Sequence, residues 1–242
     1  MQTTLWRAMV HPVLITRPAS GAALLAERLL AELGPDTEIL CSPLIRIETL
    51  GANLPDLAEV NGLVITSAHA IAPLAKDARA RTLPCYCVGG ATADAAYSAG
   101  LQAIQGGGTA EALLATIKAE KPSGPLLYAR GAHITVDLAS ALSKAGIETH
   151  EAILYDQKPV GLTDRAKQLL AGRGTVVLPL FSSRTARLFF NQINPKAALR
   201  VAAISATVAD AVPKAKAAKL RISPDPTFEA MVTTISALAS DT

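Results

Sequence analysis

Two arginines and a group of small hydroxyl residues occupy matching places in the two halves of this 242-residue sequence. Arg17 and Arg130 each close a short apolar run, where a guanidinium could hold a carboxylate through two parallel hydrogen bonds. The hydroxyls and glycines fall where helices are predicted to begin, and the unpaired N–H groups of helix starts attract anions. The candidate ligand-binding residues are Arg17, Thr66, Ser67, Gly89, Thr92, Arg130, Ser182, Ser183, Thr207 and Thr227. The set predicts a site for carboxylates or phosphates.

A plainer interpretation stands beside this one. Serine and threonine are common helix N-caps, and either arginine could form an ion pair within the protein. Recurrence in both halves favours ligand binding for the group as a whole. Tyr155 is a further candidate, because it places a phenol on an otherwise apolar extended segment. It could belong to the core or project its hydroxyl towards a ligand.

Several other chemistries lack their sequence patterns. His69 lies near Ser67, but no aspartate completes a nearby triad pattern, and the histidines show no metal-binding spacing. We therefore predict no metal. The sequence has neither dinucleotide-binding nor P-loop glycine motif, and the run 106–108 of three glycines is too weak a signal to replace them, so we predict no cofactor. Cys85 and Cys87 alternate along a predicted strand, which favours burial over a disulfide or metal pair.

Composition narrows the class further. Half of the residues are hydrophobic and the formal net charge is +3, which suits two modest domains with aliphatic cores. No basic run is dense enough for nucleic acid, and no apolar run approaches the roughly 18 residues of a membrane span. The first eleven residues do not resemble a secretory signal, which predicts a cytoplasmic protein. No predicted helix has an unassigned apolar face, so we expect a monomer.

The elements that must position these residues alternate between strand and helix. Such alternation predicts parallel sheets with helices on both faces, and ligands then bind beyond the carboxyl ends of the strands. Ser20 and Thr109 are predicted helix caps, and Pro179 predicts a bulge or strand end. The predicted strands are 13–16, 63–66, 86–88, 103–104, 126–129, 176–181, 200–204 and 220–222. The predicted helices are 22–33, 91–98, 110–120, 135–144 and 184–192, with others beginning near 68, 206 and 227.

The landmarks of the first half return in the same order in the second, as a duplicated domain would show. Two similar lobes predict a ligand cleft between them. Residues 39–49 and 150–157 interrupt the strand-helix rhythm at equivalent places, and we interpret them as a pair of strands connecting the lobes.

Taken together, these features resemble the uroporphyrinogen-III synthase family over essentially the whole chain. The resemblance is carried by Ile15-Thr16-Arg17-Pro18, Ile65-Thr66-Ser67, Val88-Gly89-Gly90-Ala91-Thr92-Ala93, Tyr155, Thr109 and Thr227. It implies an α/β fold of two flavodoxin-like parallel-sheet domains connected by a two-stranded β-ladder. The implied domains are 1–38 with 162–242, and 50–148, with 39–49 and 149–161 as connecting strands. Ser205 and Val208 depart from the pattern, since they stand where the first half has Gly89 and Thr92.

The resemblance also implies an activity. Members of this family convert hydroxymethylbilane, a linear polyanionic tetrapyrrole, into uroporphyrinogen III, losing water and inverting the last pyrrole ring. Such an enzyme is a cofactor-independent carbon-oxygen lyase that could contact hydroxymethylbilane synthase transiently. By this resemblance Tyr155 would hydrogen-bond the departing hydroxyl, and the anion-binding residues would position the substrate.

Two rival functions belong to other classes. A two-lobed small-molecule-binding module without catalysis would share the paired α/β lobes, but such modules usually stack aromatic rings on the ligand, and this chain has one tryptophan. A flavin-binding electron carrier would share the lobe topology.

Overall fold

The computed structural model describes residues 10–51, 54–134 and 136–241. The strands are β1 Val13–Ile15, β2 Ile39–Cys41, β3 Ile45–Thr49, β4 Gly62–Ile65, β5 Pro84–Cys87, β6 Gln102–Gln105, β7 Leu126–Gly131, β8 Thr149–Pro159, β9 Thr175–Leu180, β10 Ala198–Ala203 and β11 Lys219–Ile222. The helices are α1 Ala19–Leu33, α2 Ile71–Leu74, α3 Gly90–Ser98, α4 Ala110–Glu120, α5 Leu138–Lys144, α6 Asp164–Ala171, α7 Ser183–Gln192, α8 Ala206–Ala209 and α9 Phe228–Ser240.

The chain forms two compact units. Unit A comprises residues 1–46 and 158–242, and unit B comprises residues 47–157. Each unit contains one sheet, in the order β11-β10-β9-β1-β2 for unit A and β3-β8-β7-β4-β5-β6 for unit B. Pairing is parallel along β11-β10-β9-β1-β2 in unit A and along β8-β7-β4-β5-β6 in unit B, as the alternation of strands and helices predicts.

The inner strands of the unit A sheet, β1, β9 and β10, are buried on both faces because nearly all of their residues are apolar. Side chains alternate along β1, so Leu14 packs on one face, while Val13 and Ile15 pack on the other. The Leu14 face packs against helices α6 and α7, and the opposite face packs against α1 and α9. The polar side chains near β1 and β9 therefore lie beyond the ends of these strands.

Unit B is built in the same way. One face of its sheet buries Leu63, Ile65 and Leu127, and the other buries Val64 and Tyr128 under helices α4 and α5. Cys85 and Cys87 are both buried and unbridged, with their sulfur atoms 3.8 Å apart, which confirms their prediction as small core residues.

The two sheets confirm the internal duplication. Strands β6-β5-β4-β7-β8 of unit B stand in the same order as β11-β10-β9-β1-β2 of unit A. Arg17 follows β1 and Arg130 lies near the end of its counterpart β7, while Ser67 and Ser182 follow the counterparts β4 and β9. Matching sequence landmarks therefore occupy matching positions in the two sheets.

Residues 39–49 do not form a single extended strand. Backbone N–H groups of Ser42 and Leu44 donate to Ile15 and Thr16, which keeps this part of the chain beside β1. Only afterwards does β3 begin, and it lies next to β8 in the sheet of unit B. The chain thus passes from unit A to unit B within β3 and returns within β8.

Some helices begin at the caps that the sequence predicts, and others do not. Thr109 and Thr227 cap α4 and α9, each accepting a backbone N–H three residues later. Ser20 was a wrong prediction, since α1 begins at Ala19 directly after Pro18 and so contains it. The predicted helix start at residue 135 lies outside the described residues, and α5 is capped by Asp137.

Pro179 does not form a bulge. Its pairing with Ala202 lies within six consecutive pairs between β9 and β10. The N–H of Val177 donates to Pro12, on the side of β1, so the alternation of a parallel strand directs the nitrogen of Pro179 to that side as well. Strand β9 pairs with β1 only at Val177 with Val13, whereas it pairs with β10 at six positions. The missing N–H of the proline therefore removes no hydrogen bond from the longer β9–β10 ladder.

The glycine run 106–108 has a structural explanation. A Cβ on Gly106 would lie 2.4 Å from Cδ1 of Leu113 and 3.0 Å from the carbonyl oxygen of Cys87. Gly107 and Gly108 have φ values of +83° and +94°, in the region that favours glycine. The run allows the chain after β6 to pass close to β5 and enter α4.

We expect Gly106→Ala to lower the free energy of unfolding by about 1 to 3 kcal/mol, because backbone and packed side chain must move to admit the methyl group. Gly51→Ala is the matched control, since no atom of the described residues beyond its chain neighbours lies within 4 Å of its added Cβ. Its stability should be unchanged or up to about 1 kcal/mol higher. Urea unfolding measures both, and equal losses in the two variants would contradict the packing argument.

Candidate active site

The candidate residues of unit B gather at one edge of its sheet. Strands β4, β5 and β7 are parallel neighbours, with Ile65 paired to both Cys87 and Ala129. Their carboxyl ends therefore meet at the same edge, which is where open α/β sheets bind ligands. Thr66 and Ser67 follow β4, Gly89 follows β5, and Arg130 lies near the end of β7.

Tyr155 lies on β8 beside this edge, and its ring is packed into the unit. The residue is 3% exposed and stands opposite Gly131 of β7, so closely that a Cβ on Gly131 would be 2.6 Å from Cε2 of the ring. Its hydroxyl forms no hydrogen bond with the described residues. It is also not fully buried, because the fully buried side-chain oxygens without a partner among these residues are those of Thr16 and Ser236. The Tyr155 hydroxyl therefore keeps a slight exposure, while the ring is held inside.

His69 packs against Tyr155 from a short 3-10 turn, residues 68–70. The two ring centroids are 5.5 Å apart with an interplanar angle of 62°, an edge-to-face arrangement. The Ser67 hydroxyl caps the turn by accepting the backbone N–H of His69 at 3.5 Å. Burial lowers the pKa of the His69 imidazole, which favours the neutral ring.

Tyr128 is a second phenol in this region, and sequence reasoning missed it. Its hydroxyl lies 3.2 Å from Oγ1 of Thr66, and burial raises its pKa, with a smaller opposing effect from that hydrogen bond. Tyr128 precedes Arg130 by two residues on β7, so the two share one face of the strand. That spacing was the signal that could have revealed it.

Arg130 is already occupied by a carboxylate. Its Nε donates to Glu151 of β8, and its Nη1 donates to the carbonyl oxygen of Gly131 at 2.9 Å. The ion-pair interpretation of this arginine therefore describes its contacts within unit B. A ligand carboxylate would have to share the guanidinium with Glu151.

Arg17 in unit A differs from its counterpart. Its guanidinium lies over the ring of Phe181, 4.0 Å from the centroid, and burial lowers its pKa. No described carboxylate forms an ion pair with it. A partly desolvated cation without an internal counter-ion suits an anionic ligand better than Arg130 does.

Three of the four candidate hydroxyls of unit A, those of Ser182, Ser183 and Thr227, have partners in the structure. Ser182 and Thr227 cap α7 and α9 through the backbone N–H groups of Thr185 and Ala230. Ser183 donates to the carbonyl oxygen of Thr207 at 2.9 Å. A capping hydroxyl accepts through its oxygen and retains its own proton, so capping leaves Thr227 able to donate. The Ser182 hydroxyl also shares a hydrogen bond of 2.9 Å with Oγ1 of Thr185, in which either oxygen can be the donor.

Gly89 and Thr92 mark the start of α3. Gly89 is extended, and its carbonyl oxygen accepts the N–H groups of Thr92 and Ala93. Thr92 lies in the first turn, half-buried. In unit A the corresponding turn is capped by Ser205, whose hydroxyl accepts the N–H of Val208 at 3.4 Å. A serine thus supplies with its side chain a cap that the glycine lacks.

Two further properties bear on function. The described residues contain no group of three or more histidine, cysteine, aspartate or glutamate side chains arranged to hold a metal ion. Within the same residues, no helix combines the length and hydropathy that crossing a bilayer requires.

A family model and two solved structures relate this chain to the same kind of protein. A family model described as "HEM4: Uroporphyrinogen-III synthase HemD" matches residues 25–233. No curated protein sequence matched the chain. The fold is similar to that of uroporphyrinogen-III synthetase from Helicobacter pylori, with a TM-score of 0.69, 18% identity and coverage of 95% of this chain and 100% of that one. It is also similar to a mutant uroporphyrinogen III synthase from Thermus thermophilus, with a TM-score of 0.54, 16% identity and coverage of 94% and 98%.

The lowered pKa of His69 predicts a pH-dependent stability. Below the unfolded-state pKa of about 6.5 the unfolded chain binds a proton that the folded chain resists, so stability is lost as the pH falls. We expect His69→Gln to lose less stability than the wild type between pH 7.5 and pH 5.5 in urea unfolding. A His150→Gln variant serves as the control at an exposed strand position. An unchanged pH dependence in His69→Gln would refute this assignment.

Proposed function

The chain belongs to the uroporphyrinogen-III synthase family and acts in tetrapyrrole biosynthesis, and from this premise we propose how its residues perform the reaction. The proposed reaction cyclises hydroxymethylbilane to uroporphyrinogen III, with loss of water and inversion of the last pyrrole ring. The family match over residues 25–233 is the observation that carries the proposal. It favours this function over a non-catalytic binding module or a flavin carrier.

Tyr155 is the proposed catalytic residue. In the proposed first step, the carbon–oxygen bond of the substrate's hydroxymethyl group breaks as the pyrrole nitrogen supplies an electron pair, and the oxygen takes up one proton and leaves as water. The Tyr155 hydroxyl donates a hydrogen bond to that oxygen. Its ring is held by Gly131 and His69, and its hydroxyl proton is not donated to any described residue, which is the arrangement that such a donor needs.

Ring closure then follows from position. The last pyrrole ring attacks the resulting methylene carbon through its substituted carbon, giving a spiro intermediate. The older bond from that carbon to its bridge carbon then breaks, and the bridge carbon bonds to the free α-carbon of the same ring, which inverts the ring. That α-carbon loses one proton, which balances the proton taken up by the departing water. Because the substrate itself supplies nucleophile and electrophile, orientation can provide much of the acceleration, on the order of 7 to 11 kcal/mol in favourable cases. We therefore propose a carbon-oxygen lyase that needs no cofactor.

The substrate carries an acetate and a propionate on each pyrrole, so binding requires donors and positive charge. Arg17 is the strongest proposed contact, since it is partly desolvated and has no internal carboxylate among the described residues. Arg130 contributes less, because Glu151 already neutralises it. The proposed donors that complete the set are Thr66, Ser67, Gly89, Thr92, Ser182, Ser183, Thr207 and Thr227.

The proposal extends to the setting of the enzyme. We place it in the cytoplasm as a monomer that contacts hydroxymethylbilane synthase transiently to receive its substrate. Sedimentation of the purified chain, alone and with that synthase, measures both its oligomeric state and this contact.

We expect Tyr155→Phe to lower the rate of uroporphyrinogen III formation by about 10²-fold, since a general-acid contribution of at least that size is removed. The assay uses freshly made hydroxymethylbilane and separates isomer III from the spontaneous isomer I. Tyr97→Phe is the matched control, because that phenol is 78% exposed in the same unit. An unchanged Tyr155→Phe rate refutes the tyrosine role, and a wild type that yields only isomer I refutes the function.

We expect Arg17→Gln to raise KM for hydroxymethylbilane by about tenfold or more, the loss of one hydrogen-bonded charge contact. The comparison is Arg28→Gln, an exposed helix residue that pairs with Glu32 and Glu229. Its KM should stay at the wild-type value. Equal values of KM for the two variants would remove Arg17 from the binding set.

A further inference from the structure

We propose that His69 and Gly131 are positioning residues that fix the ring of Tyr155 for the reaction. The inference rests on the proposed function and deepens it, since it assigns residues that act through the tyrosine and not on the substrate.

A glycine is required at position 131 because the ring of Tyr155 lies too close for any side chain. It has no positive φ, yet a Cβ at this position would lie 2.6 Å from Cε2, 2.7 Å from Cζ and 3.0 Å from the hydroxyl oxygen of Tyr155. No other residue type fits without moving the ring. The glycine therefore sets how far the phenol can advance towards β7.

A break in strand register brings this pair together. Along β7 and β8, Arg130 pairs with Ile153, but the next residue, Gly131, pairs with Tyr155. The extra residue on β8 is Leu154, and such a bulge redirects the side chain that follows it. The N–H of Ala132 donates to the carbonyl oxygen of Tyr155 at 2.9 Å, which fixes the strand immediately after the shift.

His69 restrains the ring through a second contact. Its imidazole meets the phenol at 5.5 Å between centroids and 62° between planes, and it comes from the turn that follows β4, a different element from β7. The imidazole forms no hydrogen bond with the described residues, so the tyrosine ring is the partner that the structure gives it. Burial lowers the pKa of this imidazole, which favours its uncharged form in the contact.

Two contacts from separate elements restrict both the translation and the rotation of the phenol. A donor that acts on a leaving group must be placed accurately, because a displacement of about 1 Å can cost on the order of 10²-fold in rate. The packing thus fixes the direction of the Tyr155 hydroxyl, while neither neighbour needs to touch the substrate.

The test compares His69→Ala, His69→Phe and Gly131→Ala, each alone and combined with Tyr155→Phe, using fresh hydroxymethylbilane. We expect His69→Ala and Gly131→Ala to lower kcat by about 10- to 100-fold, with KM changed by less than about threefold. His69→Phe restores the ring contact and should return kcat to within about threefold of the wild type. In the Tyr155→Phe background, His69→Ala should cost nothing further, because the positioned hydroxyl is already gone.

Controls separate positioning from folding. His150→Ala and Gly51→Ala remove an exposed histidine and add a methyl group in open space, and both should keep the wild-type kcat. If Gly131→Ala fails to fold, the two His69 variants decide the question. Equal losses from His69→Ala in both backgrounds, or no rescue by phenylalanine, would overturn the inference while leaving isomer III production intact. A wild type without isomer III would overturn the proposed function and this inference with it.

Discussion

Burial of parallel strands on both faces is the constraint on which the rest of this structure depends. Once both faces of β1, β4, β7 and β9 are covered by apolar packing, polar side chains can emerge only where the strands stop. All parallel strands of one sheet stop at the same edge, so arginines, hydroxyls and helix starts converge there without any dedicated framework. The candidate site is a by-product of how the sheet is covered.

Duplication supplied two such edges, and they have diverged. The arginine of unit B is neutralised by Glu151, while that of unit A lies on Phe181 without an acidic partner among the described residues. The helix start after β5 is formed by glycine, and the start after β10 is formed by serine. Tyr155 and His69 belong to unit B. In the proposed mechanism the two units therefore have different tasks, with charge recognition assigned to unit A and the hydroxyl donor to unit B.

Much of this was accessible from the sequence, because local signals control local structure. Thr109 and the apolar spacing after it predicted α4 with both of its ends. Pro179 predicted a bulge or strand end, but it pairs within β9, because its nitrogen faces β1 and not the β10 ladder. Sequence could not reveal the partner of Arg130, since Glu151 meets it only through pairing of β7 with β8. Nor could it place Gly131 against Tyr155, which depends on a one-residue register shift.

The discontinuity of unit A has a consequence for synthesis on the ribosome. Unit B is one uninterrupted stretch, so its whole sheet has been translated while β9, β10 and β11 are still missing. Until then β1 can pair only with β2, because its other neighbour β9 is missing, and its apolar side chains lack the cover of α6, α7 and α9. Unit B can thus fold during translation, whereas unit A must wait for the carboxyl-terminal third of the chain and is the half exposed to nascent-chain aggregation.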